Sequence, residues 1–391
     1  MRRVAVIGGG HTRFTAESPK TIVELLAEAS TDAIAQAHVT SKDIQAIYCG
    51  NVLGEFSDGQ GMMHSYLAND IGCNHVPALR YEGACATGTI AVRDAAMWVA
   101  SGTYDVVLVC GAEKATAMGT PLATRTFAMF SDSRYENPAG FTFPAVFAML
   151  AHLYASHYNI PLEKLKEQMA QVSVQSHHYG ARNPNAQFQK EISVEKVLDG
   201  PMVTTPLQLL DCCPFTDGAA AVVLAAEDVA RKLTDQPVWI AGTGQASSGH
   251  LASQSQYLPR IRARELSVKQ AYAMAGVGPE DIDICELHDC FSIASIIAAE
   301  SLGLAEFGTA GERWEQGAFR IGGQTPINIS GGLKSKGHPI GATGVSQVYE
   351  VTRQLRGDLV DQGRQVEGAK VGLVDTLGGD GIIVNLVLKK D

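Results

Sequence analysis

Apolar and polar positions along the chain fall into two recurring registers, short runs dominated by β-branched residues and longer stretches with helical spacing. The runs "RRVAVIG", "IQAIYCGN", "DVVLVCGA", "AAAVVLAA", "PVWIAGTG", "IDICELHD", "AKVGLVDTLG" and "IIVNLVLK" predict strands. Between several of them the spacing turns helical. Ile90, Ala91, Ala95, Trp98 and Val99 repeat along one face of a helix that Gly102 would end, and Val345, Val348, Val351 and Leu355 repeat in the same way. Strands alternating with helices predict the α/β class.

The pattern also repeats itself. "AHVTSKDIQAIYCGN" resembles "AGVGPEDIDICELHD", with Asp43-Ile44 answered by Asp281-Ile282; "GACATGT" is answered by "GHPIGATG", and "TDGAAAVVL" by "GDGIIVNLVL". Three matches in one order predict a duplicated α/β unit in which His338 takes the place that Cys85 holds in the first copy. The interval from Cys85 to Asp217 is far longer than that from His338 to Asp380, so the first copy carries an insert between about 119 and 205. Its stretches "RYENPAGFTFPAVFAML" and "HHYGARNPNAQFQ" read as aromatic and loop-like, the kind of segment that builds binding surfaces.

Composition narrows the function. With 391 residues, 46% hydrophobic and 18% charged, the chain can bury cores for two or three domains. A net charge of −10 and the lack of a long Lys/Arg run argue against nucleic acid. No apolar run approaches a membrane span. The eight cysteines contain no Cys-x-x-Cys pair, which argues against a zinc ribbon and a disulfide framework and favours a reducing compartment. Since the closing "LVLKKD" is no peroxisomal address, a soluble cytoplasmic protein is expected. "VAVIGGGHTRF" invites a dinucleotide site but has Arg13 where the third glycine of that fingerprint belongs.

Three clusters could carry chemistry. Cys85 lies among small residues just ahead of a predicted helix, and a helix N-terminus or a neighbouring imidazolium raises the thiolate fraction of a cysteine. A buried structural thiol is the competing reading. His338 sits in the glycine-rich "SGGLKSKGHPIGATG", also ahead of a helix, and pseudo-symmetric halves would bring it to Cys85. The third cluster, "ELHDCFS", holds His288, Asp289 and Cys290 after a strand. Successive residues there cannot all face one ion, so no metal is expected. The paired His177 and His178 read as solvated, whereas Met129, Phe130, Phe141, Phe143, Phe147 and Met149 could line a pocket or fill a core.

Taken together, "VAVIGGGHTRF", "EGACATG", "LLDCCPFTDGAAAVVL", "ELHDCF", "NISGGLKSKGHPIGATG" and "LGGDG" resemble the thiolase superfamily, in particular its sterol-carrier-protein-type and archaeal-type members, over essentially the whole chain. The resemblance implies a thiolase fold: duplicated α/β core domains layered α-β-α-β-α, with an inserted loop domain. The corresponding boundaries are 1–118 with 206–233 for the N-terminal core, 119–205 for the loop domain and 234–391 for the C-terminal core. It implies an acyl-CoA C-acyltransferase that cleaves 3-oxoacyl-CoA with CoA, or runs the reverse Claisen condensation, through acyl-Cys85. CoA is then a substrate, and no permanently bound cofactor is expected.

Degradative thiolases carry Asn-Glu-Ala-Phe where this chain has His288-Asp289-Cys290-Phe291, and a late Cys-x-Gly where it has "DTLGGDG". Cys290 is therefore expected to be the acid/base thiol. His288 and His338 would form one oxyanion hole, and the backbone N–H groups of Cys85 and Gly378 the other. Arg182 and Lys190 could meet CoA phosphates. The alternatives are a β-ketoacyl synthase-like condensing enzyme, which has no acid/base cysteine, and a thiolase-like subunit that works only with a partner. The resemblance also implies a homodimer or dimer of dimers and a small zinc-ribbon/OB-fold subunit. It leaves the acyl chain open among acetoacetyl, medium-chain and bulky or aromatic 3-oxoacyl groups.

Overall fold

A computed structural model describes residues 2–379 and 381–391; Asp380, used in the repeat match above, lies outside them. All the predicted strands are present: β1 (Val4–His11), β2 (Ile47–Gly50), β4 (Val106–Lys114), β7 (Asp217–Ala226), β8 (Val238–Ser247), β9 (Ile284–Glu286), β10 (Val371–Gly378) and β11 (Ile382–Lys390). The pattern missed β3 (Ala78–Tyr81), a half-exposed edge strand without clean alternation, and the short ribbon of β5 (Met202–Thr204) and β6 (Leu207–Gln208).

The sheet order, β3-β2-β4-β7-β1-β8-β11-β10-β9, reads as two halves reflected about the β1/β8 pair. From the centre outward, β1 is antiparallel to β7, β7 to β4, and β4 parallel to β2. In the other half β8 is antiparallel to β11, β11 to β10, and β10 parallel to β9. Even β3 has a remnant partner, the parallel bridge from Ile327 to Cys285 of β9. The repeated aspartates do equivalent work, since Asp43 accepts the N–H of Thr40 (2.7 Å) and Asp281 that of Gly278 (2.8 Å). This is the physical content of the duplication.

Among the described residues the helices of nine or more residues are α1 (Ile22–Gln36), α2 (Thr87–Ser101), α3 (Gly119–Phe127), α4 (Phe143–His157), α5 (Leu162–Gly180), α6 (Arg262–Ala275), α7 (Ser292–Ser301) and α8 (Ile340–Arg356). A capping box of Thr21 and Glu24 starts α1, worth about 1 kcal/mol. Helix α1 covers the outer face of the first half and α6 that of the second. Between the halves lie α2 and α8, with Val345, Val348 and Val351 packed against Val109 and Val222 on one side and Val374 and Leu386 on the other. The layering is therefore α-β-α-β-α.

The glycines of "VIGGGH" serve this packing and not a nucleotide, because a Cβ on Gly10 would lie 2.1 Å from the Ala29 carbonyl oxygen of α1. Two expectations need correction. Trp98 is 48% exposed; the buried face of α2 runs through Ala91, Val92, Ala95, Ala96 and Val99. Of the two stretches in 119–205 read as loop-like, 177–189 does run out of its helix after Gly180, whereas the second half of 134–150 is helical, because α4 buries Val146, Phe147, Leu150, Ala151 and Tyr154 in the core of the second half. Among the described residues no helix is long and apolar enough to cross a membrane.

Candidate active site

The two central helices meet at their N-termini, and small residues make that possible. A Cβ on Gly88 of α2 would lie 2.9 Å from Val345 N, and one on Gly344 of α8 would lie 2.4 Å from Thr89 N. Cys85 stands in a single 3-10 turn two residues before Thr87, the start of α2, and His338 stands two residues before Ile340, the start of α8. One ligating atom each from Cys85, His338 and His288 lies within 4.8 Å of the others. The trio gathers residues from both halves, which the local spacing of "ELHDCF" could not reveal.

Cys85 is presented by a strained turn. Ala84 holds φ +48, and the turn is pinned by Ala84 N–H to Glu82 Oε1 (2.6 Å) and by Thr87, which accepts from Gly83 N (2.8 Å) and donates to Ala84 O (2.6 Å). Burial pushes the Cys85 thiol up to about 12, opposed chiefly by a hydrogen bond from the Gly379 N–H. Gly378 was the expected donor. It is the last residue of β10, paired with Ile382, and the chain turns at Gly379 (φ +55), which brings the next amide to the sulfur.

His338 is buried, and burial lowers its pKa to about 3, so the ring is neutral. Its backbone N–H donates to Thr216 Oγ1 (2.9 Å), and its Nδ1 lies 2.7 Å from Thr343 Oγ1. The Thr343 hydroxyl has one proton and gives it to the Pro339 carbonyl (3.1 Å), so it accepts from His338 Nδ1–H. Nε2 then keeps its lone pair, and it has no hydrogen-bond partner among the described residues. Cys85 is half-buried and His338 buried, and both environments favour the neutral form at rest.

After β9 the chain turns His288 and Asp289 to opposite sides. His288 and Cys290 line the cavity, while Asp289 points away and accepts from Leu333 N (2.7 Å) and Ser176 Oγ (3.4 Å). Burial and the nearby His338 hold His288 well below the usual histidine range. Burial, then Cys213 and Cys85, push the Cys290 thiol up, so it too is protonated at rest. Beneath the loop, Asp375 of β10 accepts from Arg264 Nε (3.0 Å), Asn385 Nδ2 (3.0 Å) and the His288 backbone N–H (3.4 Å). Leu287 N–H donates to Asn328 Oδ1 (2.8 Å). A second buried carboxylate, Glu113, binds the N–H groups of Val52, Leu53 and Gly341 and so ties the first turn of α8 to the first half.

The cavity measures about 120 Å³ and is walled by Phe127, Phe143, Phe147, Phe215, Phe291 and Leu377. Of the aromatic and methionine residues picked from the sequence, only Phe143 and Phe147 line it. Met129 is 56% exposed, and Phe141 and Met149 pack on the core of the second half. Cys212, Cys213 and Phe215 also line the cavity, and nothing local in "LLDCCPFTDG" tells which way they face. Arg182 and Lys190 lie outside the lining: Arg182 is engaged with Glu191 (2.7 Å) and the His178 carbonyl (2.5 Å), and Lys190 offers its carbonyl to His177. His177, expected to be solvated, is 4% exposed.

What this arrangement can do is narrow: a thiol with a base beside it, a second thiol, and amide and imidazole donors around an apolar hole. Comparison with known proteins points the same way. The thiolase N-terminal domain profile matches residues 4–228 and the thiolase C-terminal domain-like profile residues 244–383. An acetyl-CoA acetyltransferase of Methanothermobacter thermautotrophicus is 42% identical over 381 residues, covering 97% of each chain. Among solved structures, an Ltp2-ChsH2(DUF35) aldolase superposes with a TM-score of 0.83 at 27% identity, covering 100% of this chain and 98% of that one. Human mitochondrial 3-ketoacyl-CoA thiolase in complex with CoA superposes with a TM-score of 0.76 at 18% identity, with the same coverage, a likeness of fold.

Proposed function

The chain belongs to the thiolase family, and on that premise we propose that Cys85 is the nucleophile of an acyl-CoA C-acyltransferase in which His338 is the base and Cys290 the acid/base thiol. The enzyme cleaves a 3-oxoacyl-CoA with CoA, or joins two acyl-CoA molecules in the reverse direction. The observation that carries the assignment of roles is the junction of the two helix N-termini, where Cys85, His288 and His338 come within 4.8 Å with Cys290 in the same lining.

In thiolysis His338 Nε2 takes the Cys85 proton as the sulfur attacks the 3-keto carbon. The C2–C3 bond breaks, the acyl group stays on sulfur, and Cys290 gives its proton to the departing acetyl-CoA carbanion. The thiol of a second CoA reprotonates Cys290 as its sulfur attacks the acyl group, and His338 returns its proton to Cys85 on release. Protons balance over the cycle. The amides of Cys85 and Gly379 suit the oxyanion on the Cys85-bound carbon, a role in which one donor is worth about 2.7–4 kcal/mol. His338 becomes an Nε2–H donor only after it has taken the proton. The hole it forms with His288 therefore serves the enolate oxygen of acetyl-CoA, later in the sequence.

Cys290 also favours this reading over a condensing synthase, which needs no second thiol. We divide the chain as 1–118 with 206–233, 119–205 and 234–391, supported by the seating of β7 between β4 and β1. A homodimer is supported by the open edge at β3, where Leu79 is 51% exposed beside the exposed Phe56, Met62 and Tyr66. A second, zinc-ribbon/OB-fold subunit is supported by the two-component name of the Ltp2-ChsH2(DUF35) neighbour. The eight free thiols support a reducing, cytoplasmic setting.

The test is intact mass after incubation with acetyl-CoA, with peptide mapping. An acetyl adduct on Cys85 is expected. Acetylation elsewhere, or none in folded protein with or without the partner subunit, overturns the assignment.

A further inference from the structure

The catalytic cavity does not end in solid core. Behind its wall lies a second, partly open space of about 10 Å³, lined by Val146 and Leu150 of α4, Gln254, Leu258 and Ile261, and bordered on the cavity side by Phe147, Leu377 and Gly379. Those last three also line the catalytic cavity, so the two spaces share one partition. Phe147 is its largest side chain. Its ring is 3% exposed and stacks on Phe291, the residue after Cys290, with centroids 4.6 Å apart and planes at 24°.

The space has room for at most about one water molecule, and Gln254 is the one polar side chain in a lining that is otherwise apolar. A methylene placed there meets mostly apolar surface. The catalytic cavity, at about 120 Å³, is smaller than the roughly 150 Å³ apolar cavity that accommodates a benzene ring. Resting on the thiolase reading of the site, we propose that Phe147 is an acyl-length gate: the native enzyme takes short 3-oxoacyl-CoA substrates, acetoacetyl-CoA foremost, and removing the ring joins the two spaces into a channel for linear medium-chain acyl groups. Because Phe147 also braces the residue after Cys290, its loss lowers turnover of every substrate. Length preference therefore appears in a ratio, where the common loss cancels.

The experiment measures kcat/KM for thiolysis of acetoacetyl-CoA and 3-oxooctanoyl-CoA in wild type, Phe147→Ala, Phe147→Leu and Phe147→Ala with Leu150→Phe. Each methylene moved from water into an apolar site is worth a factor of about four. The octanoyl-to-acetoacetyl ratio should rise at least about tenfold in Phe147→Ala, and toward about 200-fold if all four extra methylenes are accommodated. Phe147→Leu should fall between, and Leu150→Phe should refill the channel and return the ratio toward wild type. A wild type that prefers 3-oxooctanoyl-CoA, or a ratio within twofold across the variants, overturns the gate. Should Phe147→Ala fail to fold, Phe147→Leu decides alone, with a rise above threefold expected. Acetylation of wild-type Cys85 is followed in parallel, so failure of the gate is distinguishable from failure of the thiolase roles.

Discussion

Thr343 is where a small perturbation tests the proton inventory. Its hydroxyl accepts from His338 Nδ1–H at 2.7 Å and donates to the Pro339 carbonyl at 3.1 Å, and this leaves Nε2 as the base. Thr343→Val keeps the shape and removes both bonds. In a site where His338 is 5% exposed, an unpaired donor costs about 1–3 kcal/mol, and that is the bias toward the base-competent tautomer that the variant gives up. At 1.36 kcal/mol per tenfold in rate, Cys85 acetylation should slow by about 5- to 150-fold. The assay is single-turnover acetylation by acetyl-CoA, quenched and read by intact mass. Thr343→Ser, which keeps the hydroxyl, should stay within about threefold of wild type. A valine variant within twofold of wild type, or a serine variant as slow as valine, would refute the tautomer argument.

Other consequences are equally direct. Cys85→Ala should abolish the acetyl adduct, whereas Cys290→Ala should still form it while carbon–carbon bond making falls by at least about a hundredfold, the low end for losing a general acid/base; equal condensation rates would remove Cys290 from the mechanism. His338 is depressed in the folded state from 6.5 to about 3, so the stability it contributes is present above pH 6.5 and lost as pH falls toward 3. Between pH 7 and 5 this amounts to about 2 kcal/mol, to be seen as a narrowing gap in urea midpoints between wild type and His338→Asn; parallel curves would contradict it. Asp375→Asn leaves the fully buried Arg264 without its carboxylate and should cost about 3–5 kcal/mol, with much of that recovered on adding Arg264→Met. A loss under about 1 kcal/mol would mean that water already solvates the pair.

How far the sequence speaks depends on whether a feature repeats or stands alone. The strands were legible because β-branched runs recur, and the duplication because Asp43 and Asp281 cap equivalent turns with one geometry. Cys85 and His338 pair on sequence grounds because each precedes a helix in its own copy of the repeat. The features that turn that pair into chemistry were not legible. Thr87 and Thr343 occupy the same place in "ATG" of each half, yet one braces the nucleophile turn and the other sets a tautomer. Glu113 and Asp375 lie within strands that read as apolar runs, and only the fold aims them at α8 and at the His288 loop. The stretch 134–150 misled for a related reason. Its glycines, prolines and aromatics suggest loops, whereas α4 is a helix apolar on more than one side because core and cavity both press on it.

That double burial separates the part of the site held by backbone packing from the part shaped by side chains alone. Cys85, His338, His288 and Gly379 belong to the duplicated halves, and the helix junction that gathers them is fixed by backbone contacts such as Gly88 against Val345, where a single added methyl would collide. Part of the cavity wall comes from the segment present in one half only, through Phe127 and through Phe143 and Phe147 on a helix that no repeat constrains, while Phe215, Phe291 and Leu377 belong to the halves. A change in α4 can therefore alter which acyl group fits without moving Cys85, His338 or Gly379. A change at the helix junction cannot alter one of the three without disturbing the rest. Substrate range should be selectable on α4, and loss of all chemistry should concentrate at the junction; broad tolerance of bulky substitutions at Gly88 or Gly344, measured as retained Cys85 acetylation, would contradict this division.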